Sequence, residues 1–289
     1  MPNGTMPERL TAAETYAAKV DALVAQRSRL LPTREERTDR WAQRASFFRL
    51  DPRRKLDRNA RALLDLIQPD DSVLDIGGGA GRLGLPAALN CREVVNVEAS
   101  DAMRAEFDAA AVEAGIANAR NVAGRWPENA GGLSADVVMT ANVTYFARDI
   151  APFLQAMDRA ATRLSVVGVW SVPPPDRARV LFELVYGEPR APTPTHLDLL
   201  AVLWEMGILA DVTVLPEPFR GFRTRFDTRD EAIDHALGSV EAADRPGARE
   251  LLERHFQDLF RPRDESGFEA TWVPQEAREM LITWTPKGS

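Results

Sequence analysis

Apolar and polar positions follow two different patterns along this chain. Short apolar runs, typical of buried parallel strands, begin near residue 72, and segments with apolar residues three or four positions apart lie between them. The runs predict strands at Val73–Ile76, Val94–Glu98, Ala119–Ala123, Asp136–Thr140, Ser165–Trp170, Ala210–Leu215 and Glu279–Thr285. The intervening segments predict helices at Leu83–Leu89, Asp101–Glu113 and Ile150–Arg163. This alternation predicts an α/β fold whose mostly parallel sheet is covered on both faces.

The chain also has helical segments outside this alternation. Helical spacing before the first strand predicts three helices, at residues 8–30, Thr33–Phe48 and Arg54–Ile67. After Trp170 the rhythm breaks, and further helices are predicted among proline-rich loops. The predicted division is an N-terminal helical extension at residues 1–67 and a main domain at residues 68–289, with helical insertions near 172–208 and 216–268.

Composition narrows the class of protein. Of 289 residues 45% are hydrophobic, and none of the apolar runs approaches the ~20 residues that span a bilayer. The first residues lack the apolar segment of a secretory signal, and Cys91 is the only cysteine, so we expect a cytoplasmic protein without disulfides. The net charge of −7 disfavours nucleic-acid binding through overall charge. Residues 1–65 nevertheless carry a balance of +5, which suggests either a solvated basic surface or a basic flap for an anionic partner.

The most informative segment is the glycine-rich turn in VLDIGGGAGRLG, residues 73–84. It predicts a buried strand that leads directly into a helix, with glycines where backbone approaches a ligand. Gly79, Gly81 and Gly84 match GxGxxG, and Glu98 follows at the spacing of a dinucleotide fingerprint. The same glycines also fit DxGxGxG, which begins at Asp75. A carboxylate at Asp75 would repel a pyrophosphate but suits a cationic group, so the second pattern is favoured.

With VLDIGGGAG followed by the acidic strand end in VVNVEAS, the chain resembles the class I S-adenosylmethionine-dependent methyltransferases over about Leu56–Trp170. The resemblance implies a Rossmann-like, doubly wound, mostly parallel seven-stranded sheet and S-adenosyl-L-methionine as the cofactor. It places Asp75 near the methionine part of the cofactor and Glu98 on the ribose hydroxyls. The remaining cofactor-binding residues that it implies are Gly77, Gly78, Gly79, Gly81, Ala99, Met103, Arg125, Trp126 and Asn142.

The predicted acceptor end lies where the fourth strand ends. Ligands of open α/β sheets bind beyond the carboxyl ends of the strands, so Asn142 and Tyr145 are the candidate catalytic residues. No prolines follow Asn142, unlike the Asn-Pro-Pro-Tyr motif of relatives that methylate amino groups. Of the three histidines, His196 is the best catalytic candidate because it begins a predicted helix after the proline-rich loop. Clustered metal ligands are absent from the sequence, so we expect no metal.

These features together predict a methyltransferase that acts on a small-molecule acceptor. Two alternatives stay open at this point: an NAD(P)-dependent oxidoreductase, and a non-catalytic module that binds S-adenosylmethionine or RNA. We expect no membrane partner, and a homodimer is compatible with the sequence. The acceptor, the atom that receives the methyl group and any general base cannot be deduced from the motifs.

Overall fold

The computed structural model describes residues 10–31, 45–129, 132–218, 224–263 and 266–287. Most of the predicted second helix, at residues 33–44, lies outside the described residues. Its last four residues, Ala45–Phe48, form a short 3-10 helix.

The elements confirm the predicted alternation of strands and helices. The α-helices are α1 (Ala12–Leu30), α2 (Arg58–Leu64), α3 (Gly84–Ala88), α4 (Asp101–Glu113), α5 (Ile150–Ala160), α6 (Arg179–Tyr186), α7 (His196–Glu205), α8 (Arg229–Ser239), α9 (Ala248–Arg254) and α10 (Phe256–Leu259). The strands are β1 (Ser72–Ile76), β2 (Glu93–Glu98), β3 (Ala119–Ala123), β4 (Ala135–Ala141), β5 (Ala161–Trp170), β6 (Asp211–Pro218), β7 (Arg225–Phe226), β8 (Phe260–Pro262), β9 (Phe268–Ala270) and β10 (Arg278–Trp284).

A seven-stranded sheet forms the centre of the fold, in the order β3-β2-β1-β4-β5-β10-β6. The first five strands of that order are parallel, and β10 runs antiparallel to both β5 and β6. The expected mostly parallel, doubly wound sheet is therefore confirmed. Because β1 lies in the middle, its carboxyl end meets those of β2 and β4 at one edge of the sheet, where ligands bind in such folds.

Side chains alternate along β1 between two apolar layers. Leu74 and Ile76 face a layer to which α1, α5 and α7 contribute. Val73 faces the opposite layer, which α2, α3 and α4 cover. Since side chains on a strand point to opposite faces in turn, Asp75 shares the second face with Val73. The only acidic residue of β1 is thus directed beneath α3 and the glycine-rich turn.

The later part of the chain builds a second apolar cluster, which we call the insertion cluster. It joins α6 to helices α8–α10 and to a three-stranded sheet in the order β7-β9-β8. The sequence predicted helices here but not this small sheet. Helix α7, which lies in the segment predicted as an insertion, packs with α1 and α5 on the main sheet. Among the described residues no helix is long and apolar enough to cross a membrane.

Candidate cofactor and active site

The glycine-rich turn connects the end of β1 to the start of α3. Gly77 and Gly81 adopt left-handed backbone angles, with φ of 68° and 85°. A Cβ atom would be 2.6 Å from Val143 at Gly77 and 2.6 Å from Leu85 at Gly81. Both positions therefore require glycine for conformation and for space, and the turn is packed tightly against the end of β4 and against α3.

Asp75 lies beneath this turn and is 2% exposed. Its Oδ2 atom has no hydrogen-bond partner within the described ranges of the chain. Burial raises the pKa of Asp75 to about 7, opposed by the charge of Arg82 and by a hydrogen bond from the Gly84 backbone, while the charge of Glu98 raises it further. A buried carboxyl oxygen without a donor is costly, so this atom is suited to a ligand that brings a donor or a positive charge.

Asn96, which the sequence pattern did not predict as a site residue, is the neighbour of Asp75 across β1 and β2. Its Nδ2 donates to the Gly79 carbonyl at 3.1 Å and to Asn121 Oδ1 at 2.8 Å. Asn121 in turn donates to Asp108 on α4. The sequence did contain a signal for Asn96, since it is an amide within the mostly apolar strand EVVNVE. A buried amide needs hydrogen-bond partners, so a polar neighbour could have been expected.

Glu98 ends β2 beside the turn, as the sequence predicted. Its two carboxylate oxygens accept hydrogen bonds from the backbone N–H groups of Gly79, at 3.1 Å, and Ser100, at 2.8 Å. Glu98 therefore joins the turn to the start of α4. Each oxygen keeps a lone pair, so the carboxylate can accept further donors.

The start of α4 lies against the same turn. Ser100 caps the helix by accepting a hydrogen bond from the Met103 N–H, and Met103 is buried in a small cluster with Ala45 and Ala80. The Met103 sulfur is 3.7 Å from where a Cβ atom on Gly79 would be. Ala99 is exposed beside them. That Ala99 and Met103 line the adenine side of a cofactor stays a prediction.

Arg125 and Trp126 follow the carboxyl end of β3. Arg125 is exposed, whereas Trp126 is buried in the layer with α5 and donates its indole N–H to the Phe153 carbonyl at 3.2 Å. Core packing therefore accounts for the Trp126 side chain. A contact between this segment and a cofactor stays a prediction.

The carboxyl end of β4 carries the two predicted catalytic residues. Asn142 has a left-handed backbone, with φ of 65°, and is half-buried. Tyr145 is 1% exposed, and its hydroxyl donates to Asn142 Oδ1 at 3.3 Å while it accepts from the Trp170 N–H at 2.6 Å. The Tyr145 hydroxyl thus joins the ends of β4 and β5 inside the core and is directed at Asn142.

A second acid lies at this end of the sheet, and sequence analysis did not single it out. Glu279 of β10 pairs in register with Trp170 and is 6% exposed. It accepts a hydrogen bond from the Asn59 side chain at 3.4 Å, and the Asn142 side chain close by lowers its pKa. Burial raises the pKa of Glu279, and the positive charge of Arg82 opposes that shift. The pairing of antiparallel β10 with β5 could not be deduced from spacing along the chain.

Arg177 also lies at this end of the sheet and is buried. Its guanidinium lies over the Trp170 ring, 4.9 Å from the ring centroid, and its Nε donates to the Val172 carbonyl. Burial lowers the pKa of Arg177 to about 10, and the negative charge of Glu279 opposes that shift. Arg177 therefore stays cationic at neutral pH beside the Asn142 region.

The three histidines are separated in the structure. His235 stacks on Trp272 in the insertion cluster, and half-buried His255 lies 3.3 Å from Asp258. His196 begins α7, as predicted, and is half-buried, which lowers its pKa. Across the described ranges, no group of histidine, cysteine and acidic side chains has metal-binding geometry.

The part of the chain that builds this site is similar to known methyltransferase domains. Residues 74–164, from β1 into β5, match the methyltransferase domain family. The structure of YcgJ from Bacillus subtilis is 16% identical, with a TM-score of 0.50 over 78% of this chain and 97% of YcgJ. BH2331 from Bacillus halodurans C-125, provisionally described as a methyltransferase, is 15% identical, with a TM-score of 0.52 over 80% and 99% of the two chains. At these identities the two structures show a shared fold. No curated protein matches the sequence significantly.

The Rossmann-like sheet, the acidic and glycine-rich turn and the family match define a class I S-adenosylmethionine-dependent methyltransferase domain. Residues 74–164 carry the match to this domain, and S-adenosyl-L-methionine, the predicted cofactor, is the one that such a domain binds.

Proposed function

We propose that this protein transfers a methyl group from S-adenosylmethionine to a small-molecule acceptor. The observation that carries the proposal is the buried, unpartnered Asp75 oxygen beneath the glycine-rich turn, one strand away from Glu98. A pyrophosphate would bring further negative charge to Asp75, whereas the methionine ammonium brings the missing donor. The residues present therefore fit this cofactor better than a dinucleotide.

In the proposed arrangement each part of the turn has a role. Asp75 holds the ammonium group, and Gly77, Gly78, Gly79 and Gly81 let the backbone approach the methionine part. Glu98 accepts the ribose hydroxyls. Ala99, Met103 and the backbone of residues 124–126 line the adenine side, with Arg125 at its exposed rim.

When bound, S-adenosylmethionine supplies a methyl group activated by the adjacent sulfonium. The protein contributes by holding the acceptor in line with that group and by excluding water. We assign Asn142 to the acceptor end, where its half-buried amide is oriented by Tyr145 and Glu279. Tyr145 is in this proposal a positioning residue, because its hydroxyl is fully buried and directed at Asn142.

The nature of the acceptor is the least constrained part of the proposal. Described basic residues of the N-terminal region pair with acids elsewhere in the chain: Lys19 with Asp198, Arg27 with Glu241, Arg29 with Glu188 and Arg49 with Glu106. These pairs account for much of the uneven charge without a nucleic-acid partner. They favour a small-molecule acceptor over RNA, and the single cysteine supports a cytoplasmic location.

Calorimetric titration with S-adenosylhomocysteine tests the cofactor site. We expect tight binding by the wild type, no binding of NAD(P), and at least tenfold weaker binding by Asp75→Ala and by Glu98→Ala, since each removes a charge-assisted contact. Glu93→Ala is the matched control, because Glu93 is an exposed acid at the opposite end of β2. Unchanged affinity in both site variants would contradict the assignment.

The acceptor class needs a separate experiment. The protein is incubated with methyl-labelled S-adenosylmethionine and a cell extract fractionated into small molecules, RNA and protein. We expect label in the small-molecule fraction only. Label in RNA, together with RNA binding that weakens steeply with salt, would overturn the small-molecule proposal and leave the cofactor assignment intact.

A further inference from the structure

Two buried oxygen atoms lie close together beneath the glycine-rich turn. Asp75 Oδ2 and Asn96 Oδ1 are both inaccessible to solvent, and neither has a hydrogen-bond partner among the residues that the structure describes. They converge on one point, because a Cβ atom on Gly78 would be 2.3 Å from the first and 2.6 Å from the second. Asp75 and Asn96 are also direct neighbours across β1 and β2.

The orientation of the Asn96 amide follows from its other contacts. Its Nδ2 donates to two carbonyl oxygens, those of the Gly79 backbone and the Asn121 side chain. Turning the amide over would place its oxygen against both acceptors and lose both bonds. The Asn96 oxygen is therefore fixed on the Asp75 side, and two acceptors share a space that holds no donor.

The groups around Asp75 do not supply a donor to this oxygen. Across the strand pair on its other side is apolar Met139 of β4. Burial raises the pKa of the carboxyl group, the charge of Arg82 and the Gly84 backbone oppose that shift, and the charge of Glu98 adds to it. Burial outweighs these effects and favours the uncharged acid.

We propose that Asp75 is a neutral carboxylic acid in the free protein, that its proton is shared with Asn96 Oδ1, and that binding of the cofactor's ammonium group displaces this proton. The acid O–H bond converts two unpartnered acceptors into one hydrogen bond. On binding, that O–H bond breaks, the proton passes to the buffer, and the carboxylate pairs with the ammonium. Asn96 is then a positioning residue of the cofactor site. This inference rests on the proposed contact between Asp75 and the methionine ammonium.

The direct test counts protons released when S-adenosylhomocysteine binds. Calorimetry in two buffers of different ionisation enthalpy gives that number. We expect release of about one proton at pH 6, about none at pH 8, and affinity about tenfold tighter at pH 8. Methylthioadenosine, which lacks the ammonium and carboxylate groups, is the matched ligand and should bind without proton release.

Variants assign the proton to its group. Asp75→Asn should show no release at either pH, whereas Asp108→Asn, at the exposed far end of the same amide network, should release protons as the wild type does. Proton release that persists in Asp75→Asn would assign it elsewhere and overturn the proposal.

Infrared difference spectra keep the proposal testable if a variant fails to bind. In the wild type a protonated-carboxyl band should disappear when S-adenosylhomocysteine binds, and Asn96→Leu should shift that band in the free protein because the acid loses its acceptor. A wild type that binds with neither proton release nor loss of this band would overturn the proposal alone. A wild type that does not bind S-adenosylhomocysteine would overturn the proposed function as well.

Discussion

At Gly78 the cofactor turn lies directly on two side chains. The Cβ atom of an alanine at this position would be 2.3 Å from Asp75 Oδ2 and 2.6 Å from Asn96 Oδ1. Both distances are much shorter than a normal carbon–oxygen contact. The backbone at Gly78 does not have a positive φ, so space rather than conformation requires glycine here. Gly78 therefore couples the shape of the turn to the position of the Asp75 carboxyl group.

We expect Gly78→Ala to weaken S-adenosylhomocysteine binding at least tenfold and to destabilise the protein by roughly 1–3 kcal/mol, since it overpacks a buried site. Gly238→Ala is the control, because Gly238 lies in α8 with open space at its Cβ position, and it should be neutral or stabilising by about 0.5–1 kcal/mol. Calorimetry and urea unfolding measure both quantities. Equal behaviour of the two variants would show that Asp75 and Asn96 tolerate the extra methyl group.

The pKa of Asp75 makes stability depend on pH. Because the pKa is raised to about 7 in the folded protein, the unfolded chain loses this proton first as pH rises. The contribution of Asp75 to stability is therefore complete below about pH 4 and is lost as pH rises towards 7. Above that range the folded protein carries a buried charge without its cofactor.

Asp75→Asn removes this titration while keeping an N–H donor for Asn96 Oδ1. We expect the stability of the variant relative to wild type to increase between pH 5 and pH 8 by roughly 1–3 kcal/mol. Urea unfolding of both proteins, without cofactor, at the two pH values measures this difference. A difference that is the same at pH 5 and pH 8 would show that Asp75 is ionised throughout.

Among elements, the ends of β4, β5 and β10 are held together by polar side chains. Tyr145 connects β4 to β5, and Glu279 connects β10 to Asn142 and to Asn59 on α2. Asn59 also exchanges two hydrogen bonds with the Glu217 backbone of β6. This network fixes the place that we assign to the acceptor.

Two substitutions of Glu279 separate hydrogen bonding from charge. Glu279→Gln keeps a carbonyl oxygen for the Asn59 and Asn142 amides, so we expect a change of stability within about 1 kcal/mol. Glu279→Leu removes that acceptor and leaves one N–H of the buried Asn59 amide without a partner, so it should cost about 1–3 kcal/mol. Urea unfolding of both variants and the wild type measures these changes in the free energy of unfolding. If the leucine variant is as stable as the glutamine variant, Glu279 does not hold the network.

The boundary between α5 and β5 could not be predicted from the local pattern of apolar residues. The helix predicted at Ile150–Arg163 ends at Ala160, and its last three predicted residues already belong to β5. Thr162 donates to Asp136 and Arg163 to Asp71, both outside α5. These long-range hydrogen bonds fix the boundary, and the apolar spacing of the helix contains no information about them.

At the scale of the whole molecule, the apolar layers on the main sheet and the insertion cluster have different roles. The layers on the main sheet hold the cofactor turn, whereas the insertion cluster contains no residue of that turn. Two ion pairs join α1 to other parts of the chain. Arg27 pairs with Glu241 in the region of the insertion cluster, and Lys19 pairs with Asp198 of α7. The exposed Arg27–Glu241 pair contributes little energy, and both pairs join a base near the beginning of the chain to an acid in its acidic remainder.

We expect Leu252→Ala, a change at a fully buried side chain of α9, to destabilise the protein by roughly 2–4 kcal/mol through a cavity. Affinity for S-adenosylhomocysteine should stay within about twofold, because the change lies outside the layers that carry the turn. Urea unfolding and calorimetry on the folded variant measure the two effects. A large loss of affinity would show that the insertion cluster supports the cofactor site.

The sequence by itself determined the class of fold and the cofactor. Apolar strands that must be buried on both faces produce the alternating pattern, and a turn that approaches a ligand needs glycines beside Asp75, so both signals are local in the chain. Only the tertiary structure decided which side chains meet around that turn. Asn96 reaches Asp75, and Glu279 reaches Asn142, through pairing of strands that are distant in sequence. Burial then changes the pKa of Asp75 and places the Tyr145 hydroxyl in the core, because the cost of a charge or polar group depends on what surrounds it in three dimensions.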